Sequence, residues 1–298
     1  MTSAYLAIEG LEAELEFELG PRIIARHGLL RVAEGAGDAA WAANIWHDVV
    51  ETPVASIGDA ATQLRAVQRN WSMYAPLHHG RAKLIEAKLP HVAAKPLVFP
   101  APAPAAPLGA WTLLAPDRLL YAARCSSAVP NGEWTFVEDR VGPPNRAYLK
   151  LWEALTRLGA LPKPGELCLD LGASPGGWTW VLAQLGANVV AVDKAVLDPR
   201  VMALPNVTLR QESAFALDPK SYDAVDWLFS DVICYPARLF KLIERWRAAG
   251  RVRNFVCTLK FQGETDHETA RAFASLPGAQ LFHLHHNKHE LTFALLGG

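Results

Sequence analysis

The sequence predicts an α/β fold in which a mostly parallel sheet closes on an antiparallel hairpin, with a smaller α+β domain in front of it. Three observations predict it. The stretch Leu167–Asp193, LCLDLGASPGGWTWVLAQLGANVVAVD, reads as strand, glycine turn, helix and strand. After it, strand and helix signals alternate to the end of the chain. The last two apolar runs, Gln280–Leu284 and Leu291–Leu296, are separated only by His285–Glu290. That is too short for a crossover helix, so they should be antiparallel neighbours.

The first half mixes its signals. Strands are expected at Tyr5–Ile8, Arg22–Arg26, Leu29–Ala33 and Val49–Ile57, and helices at Leu11–Leu19, Ala39–Trp46 and Ala60–Met73. Trp111–Leu114 and Leu119–Ala123, separated by A-P-D-R, read as a hairpin. Between the helices and the hairpin, Pro96–Pro116 carries no charge, but its six prolines deny it a continuous membrane helix and leave a stiff, extended connection. In the second half the opening strand Leu167–Leu171 is followed by a helix from Trp178 that Gly186 stops, then by a strand over Asn188–Val192 closed by Asp193. Further strands are expected at Val207–Arg210, at Ala224–Ser230 closed by Asp231, and at Phe255–Leu259 closed by Lys260. Helices are expected near Leu239–Ala249 and His267–Ser275.

Composition narrows the class. A chain of 298 residues suggests two domains. Cys125, Cys168, Cys234 and Cys257 show no C-x-x-C spacing, which argues against a zinc site or a disulfide framework. The acidic start, MTSAYLAIEGLEAELEFELG, has no basic segment followed by an apolar one, which predicts a cytoplasmic protein without a signal peptide. Net charge is −1, so indiscriminate nucleic-acid binding through a broad positive face is not expected. A local patch remains open: Arg238, Lys241, Arg245, Arg247, Arg251 and Arg253 face a single acid, Glu244, and read equally as a solvated helix face or a phosphate-contacting stripe.

In parallel sheets the ligand lies beyond the carboxyl ends of the strands, so Asp170, Asp193, Asp231 and Lys260 should line one edge. An acid closing the second strand, as Asp193 does, is where nucleotide-binding folds hold ribose hydroxyls, which points to an adenosine derivative. The turn G-A-S-P-G-G places Ser174 where a dinucleotide fingerprint has its middle glycine. Close approach of a pyrophosphate is thereby lost.

A D-L-G-x-x-P-G-G-W turn resembles motif I of Rossmann-type S-adenosylmethionine (SAM) methyltransferases, in particular the FtsJ-like ribose 2′-O-methyltransferases. Arg146–Leu151, R-A-Y-L-K-L, is similar to the R-A-Y-x-K-L segment that precedes the catalytic fold of that family, its lysine lying 20 residues before Asp170. The resemblance is tight from about Asn145 onward and favours the branch that methylates a cytidine ribose in large-subunit ribosomal RNA. It implies a class I SAM-methyltransferase (Rossmann-like) domain over residues 131–298 and an accessory α+β domain over residues 1–130, containing the proline-rich segment.

The same resemblance implies a Lys-Asp-Lys-Glu set at Lys150, Asp231, Lys260 and Glu290. It also implies S-adenosyl-L-methionine as cofactor, held by Ser174, Pro175, Gly176, Gly177, Trp178, Asp193 and Asp231. The sequence Q-E-S-A-F departs from the family at the adenine position, where Ser213 replaces the usual acid and Glu212 is the candidate substitute. The expected partner is RNA, with Arg65, Arg69, Trp71 and Tyr74, read as one helical stretch, pairing basic contact with stacking in the accessory domain.

Physical chemistry supports the catalytic assignment. Methyl transfer from a sulfonium is an in-line displacement, so the protein must align two reactants and make a weakly acidic hydroxyl nucleophilic. A lysine acting as base must be neutral, and the ordinary lysine pKa near ~10.4 falls on burial or beside another cation. Lys260 is the candidate base and Lys150 the second cation, with Asp231 and Glu290 as orienting acids. Competing readings are a catalytically silent SAM-fold module that binds RNA or protein, and a methyltransferase for another acceptor. A cytosine C5 enzyme would need Cys234 as nucleophile, but no P-C pair accompanies it. His283, His285, His286 and His289 lack the partners of a metal site and should face solvent or RNA.

Overall fold

A computed structural model describes residues 1–297. The chain forms two compact units, one of residues 1–97 and 103–135, the other of residues 98–102 and 136–298.

The first unit contains β1 (Thr2–Ala7), α1 (Glu12–Leu19), β2 (Ile23–His27), β3 (Leu30–Glu34), β4 (Ala42–His47), β5 (Val50–Pro53), α2 (Ile57–Val67), β6 (Trp71–Met73), α3 (His79–Glu86), β7 (Gly109–Ala115), β8 (Arg118–Ala122) and β9 (Arg124–Cys125). It builds two sheets, ordered β2-β3-β1-β4-β9 and β5-β8-β7-β6. The expected hairpin is present as the antiparallel pair β7 and β8.

Two expectations in this unit are corrected. Ala39–Trp46 is not a helix. Its residues from Ala42 form β4, a strand paired with β1 on one side and β9 on the other, and Trp46 is fully buried among Ala4, Leu6 and Val32. Cross-strand packing here overrides the helix preference of an alanine-rich segment. The helix expected over Ala60–Met73 instead runs Ile57–Val67, because the Ser56 side chain caps it by accepting from the Asp59 N–H at 3.1 Å. The strand expected to reach Ile57 therefore ends at Pro53. Beyond Asn70 the chain becomes β6, where Trp71 is 4 % exposed and its indole donates to the Leu64 and Gln68 carbonyls. The Tyr74 hydroxyl accepts the Leu29 N–H at 2.6 Å. Arg65, Arg69, Trp71 and Tyr74 thus share no helix, and Trp71 is a core residue.

The second unit contains α4 (Tyr148–Leu158), β10 (Leu167–Leu171), α5 (Gly177–Gln184), β11 (Asn188–Asp193), α6 (Pro199–Met202), β12 (Val207–Gln211), β13 (Val225–Ser230), α7 (Pro236–Ala249), β14 (Val252–Lys260), α8 (His267–Ala274), β15 (Ala279–Phe282) and β16 (Glu290–Leu295). Its single sheet is ordered β12-β11-β10-β13-β14-β16-β15. The first five strands are parallel, and β16 runs antiparallel to both β14 and β15. The closing hairpin is therefore the one the short connection required.

Strand order reverses at β10, whose neighbours are β11 and β13. This switch point opens a crevice beyond the carboxyl ends of the strands. Both faces of the parallel strands are covered, so Cys168, Leu169 and Leu171 of β10, and Trp227, Leu228 and Phe229 of β13, are buried. Leu239, Leu242, Ile243 and Trp246 form the buried side of α7.

Candidate active site

The turn after β10 is shaped by its glycines. Gly172 has φ +81, and a Cβ there would stand 2.6 Å from the Val232 Cα, so only glycine lets the β13–α7 connection cross so closely. Gly176, φ +112, enters α5 in the left-handed region. Gly177 faces the Asn145 side chain, which leaves no room for a Cβ. The Asn145 carboxamide oxygen also accepts the Ala147 N–H at 3.1 Å, and the Trp178 indole donates to the Ala147 carbonyl at 2.9 Å. The start of α4 is thus tied directly to the glycine turn, which fixes where Lys150 lies relative to it. Trp178 itself is 3 % exposed and lies edge-on to Phe229. The side chain supports the turn rather than lining its mouth.

Asp193 closes β11 beside this turn. Its Oδ2 accepts the Ser174 N–H at 3.0 Å and its Oδ1 accepts the Ala195 N–H at 2.9 Å. Each carboxylate oxygen retains a second lone pair. The Ser174 hydroxyl donates to the Val196 carbonyl at 2.9 Å. Glu212, just past β12, pairs with Arg210 at 2.7 Å, and the Ser213 hydroxyl accepts the Phe215 N–H at 3.3 Å.

Asp170 lies deeper than a strand-end acid lining the edge. It is 1 % exposed, and its Oδ2 accepts the Thr179 hydroxyl at 2.6 Å while its Oδ1 is buried without a hydrogen-bond partner. Burial, with repulsion from Asp231 and Asp193, pushes its carboxyl up to about 7. Asp231 and Asp193 raise the cost of ionising Asp170, and three acids gathered at one edge suit a ligand that brings positive charge. The sulfonium and ammonium of S-adenosylmethionine meet that requirement, so the residues present fit the cofactor.

On the other side of the switch point four charged side chains converge. Lys150 comes from the first turn of α4, Asp231 follows β13, Lys260 ends β14, and Glu290 begins β16 directly opposite Lys260 in the antiparallel register. Lys260 Nζ lies 3.1 Å from Asp231 Oδ1 and donates to the Asp231 carbonyl. Lys150 Nζ pairs with Glu290 Oε1 and stands 3.9 Å from Asp231 Oδ1. The side chains are only 9 to 19 % exposed, yet they open on the crevice side of the sheet. All four residues expected to form one set are brought together.

Reading the sequence missed Glu153. It sits one helical turn after Lys150 and is fully buried. Its Oε1 accepts the His285 N–H at 2.8 Å and lies 3.2 Å from Arg157. Its Oε2 accepts the His286 N–H at 3.1 Å and approaches the His286 Nδ1 at 2.8 Å. Arg157 also donates to the His283 carbonyl at 2.8 Å. One carboxylate therefore pins the connection that delivers Glu290. An acid on the apolar face of L-W-E-A-L was the available signal.

The histidines need a second correction. His283 is 3 % exposed and burial lowers its pKa to about 4, while its Nε2 lies 2.7 Å from the Lys288 carbonyl. His286 is engaged by Glu153. These two therefore do not simply face solvent, because the connection folds inward onto α4. Among the described residues no group of three His, Cys, Asp or Glu side chains is arranged to hold a metal ion.

The strand order, the glycine turn and the acid after β11 define the second unit as a class I, Rossmann-like SAM-methyltransferase fold. Residues 143–273 match the family model described as FtsJ-like methyltransferase. Among curated relatives, the ribosomal RNA large subunit methyltransferase M of Halorhodospira halophila is 36 % identical over 157 residues, which are 50 % of this chain and 46 % of the relative. The protein of the same name from Azoarcus sp. is 39 % identical over 123 residues, 39 % of this chain and 33 % of the relative. The matches thus span less than half the length of either relative. Fibrillarin from Aeropyrum pernix, solved with natively bound S-adenosyl-L-methionine, is 18 % identical with a TM-score of 0.38, covering 62 % of this chain and 81 % of that one.

Proposed function

We propose that this protein transfers a methyl group from S-adenosyl-L-methionine to a ribose 2′-hydroxyl of RNA, and that the RNA is ribosomal. The observation that carries this reading is the convergence of Lys150, Asp231, Lys260 and Glu290 beside the glycine turn. The names of the curated relatives support the choice of ribosomal RNA.

The cofactor supplies an electrophilic methyl carbon on a sulfonium. Ser174, Pro175, Gly176 and Gly177 shape the turn that would receive it and Trp178 braces that turn, while Asp193 would hold its ribose hydroxyls and Glu212 would take the place of the missing acid at the adenine end. Asp231, next to Asp170, faces the cationic portion. On the acceptor side Lys260 would take the 2′-hydroxyl proton as the oxygen displaced the neutral thioether from the methyl carbon that the cofactor would supply. Lys150, held by Glu290, stabilises the negative charge developing on the oxygen, and Asp231 orients Lys260.

Transfer to a cytosine C5 is disfavoured by Cys234, which is 7 % exposed and whose thiol is pushed up by burial, so it is a poor nucleophile. Among the described residues, no helix is long and apolar enough to cross a membrane.

The test is incubation with methyl-labelled cofactor and protein-free, undermethylated large-subunit ribosomal RNA. Incorporation that falls away on fully methylated RNA is expected. Cofactor binding without transfer to any RNA would replace the proposal by a silent binding module.

A further inference from the structure

The basic run after Asp231 is only partly committed to the fold. Arg251 donates to the Asp223 carbonyl at 3.1 Å and Arg253 pairs with Asp226 at 3.4 Å, so both serve the far end of the sheet. Arg238, Lys241 and Arg245 differ. Spacings of three and four residues place them on one face of α7, away from the buried Leu239, Leu242, Ile243 and Trp246, and all three are exposed. The Arg238 guanidinium lies 3.8 Å over the Phe215 ring, and Arg245 donates to the Phe215 and Leu217 carbonyls at 3.2 and 2.9 Å. Two of the three cations are therefore held in place rather than free to wander. Glu244, the one acid of this helix, follows Lys241 by three residues and borders the row, which leaves three cations against one acid. At the head of the row Tyr235 is 66 % exposed, four residues after Asp231.

We propose that this face of α7 is the track for the RNA strand adjoining the methylated nucleotide, with its phosphates meeting Arg238, Lys241 and Arg245 and a base stacking on Tyr235. The proposal rests on the RNA methyltransferase reading above. Three features favour it. The row begins at the catalytic edge, so a strand whose ribose reaches Lys260 continues onto it. From Tyr235 to Arg245 it extends about 15 Å, the rise of roughly four stacked nucleotides. In a chain of net charge −1 a row of cations on one helix face is a local feature, suited to guiding one strand rather than coating nucleic acid.

The test compares wild type with Arg238→Gln/Lys241→Gln, with Lys241→Glu alone, and with Arg253→Gln as control, using an unstructured oligocytidylate for binding and undermethylated ribosomal RNA for turnover. Loss of two phosphate contacts should weaken oligonucleotide binding about tenfold and make its salt dependence shallower by about 1.4 in log–log slope. It should raise KM for RNA with kcat, cofactor affinity and melting temperature unchanged. Lys241→Glu, which touches no loop, should weaken binding in the same direction, and Arg253→Gln should not. If wild type methylates RNA while the double variant and Lys241→Glu keep wild-type affinity and salt slope, the track is wrong and the function stands. If wild type binds cofactor but methylates no RNA, the function fails and the track with it. Loss of an acidic protein partner's binding in the variants, with RNA binding intact, would also overturn the proposal.

Discussion

Helix α4 carries two charged clusters one turn apart, and they are built on opposite principles. Around Glu153 both carboxylate oxygens are saturated by donors from the 283–286 connection and Arg157, and the group is fully buried. Around Lys150 the charges balance, but Asp231 Oδ1 and Glu290 Oε1 are held by ion pairs alone, with no hydrogen bond of good geometry. Burial is common to both, and satisfaction separates them. A saturated buried ion is an anchor, because breaking it leaves a charge uncompensated. An undersaturated one retains capacity to reorganise around a substrate.

The largest effect that sharpens this contrast is expected at Lys260. Lys260→Ala should lower methyl transfer about 10²- to 10⁴-fold, the range of a lost general base, with little change in melting temperature or cofactor affinity. Single-turnover rates and thermal melts decide it; a melting-temperature collapse instead would make the cluster an anchor like its neighbour.

Glu153→Gln should show the reverse balance. Removing the charge from a saturated buried site is expected to cost about 3 kcal/mol in stability, read from denaturant midpoints. Because the connection to Glu290 loosens, kcat should fall several-fold while cofactor affinity holds. Unaltered midpoints would show that the four donors contribute no net stability.

Asp170 offers a third, smaller test, since it is buried with one oxygen satisfied and one not. Its folded pKa of about 7 lies above the ordinary carboxyl value, so the folded ligand-free protein binds the extra proton. Its contribution therefore falls as pH rises from about 4 through about 7. Asp170→Asn should raise the ligand-free melting temperature at pH 8 more than at pH 5, and should weaken cofactor binding about tenfold, measured by calorimetry. A gain that is the same at both pH values would show that the carboxylate is not the strained form.

The smallest effect belongs to His283. Burial holds its pKa at about 4, below the ordinary 6.5, so the unfolded chain binds more protons in between. Its contribution to stability is fully present above about 6.5 and is lost as pH falls through about 4. Midpoints measured across that window should slope less in His283→Gln than in wild type.

Legibility in the sequence followed how local the cause was. The glycine turn and its flanking strands could be read because apolar runs, glycines and terminal acids lie within one short stretch. The closing hairpin was legible because six residues cannot hold a crossover. The convergence of Lys150, Asp231, Lys260 and Glu290 was anticipated from a family resemblance, since no local pattern joins residues so far apart. What failed was decided by distant partners. Ala42–His47 is a strand because β1 and β9 flank it, and Trp71 is a core residue because β6 pairs with β7 and packs with Trp111 and Leu113. Glu153 was passed over because three of its four donors come from His285 and His286, more than 130 residues away. The cap at Ser56, by contrast, was a local signal, Asp59 following it by three residues, yet the strand expected through Ile57 ran over it.

The central claim is ribose chemistry with Lys260 as base, and the most direct measurement is the position of the transferred methyl. Ribosomal RNA labelled by wild type and by Lys260→Ala would be digested to nucleosides and separated. The account predicts label in a 2′-O-methylated nucleoside from wild type and almost none from the variant. Label on a base, or a 2′-O-methyl product formed equally by the variant, would contradict it.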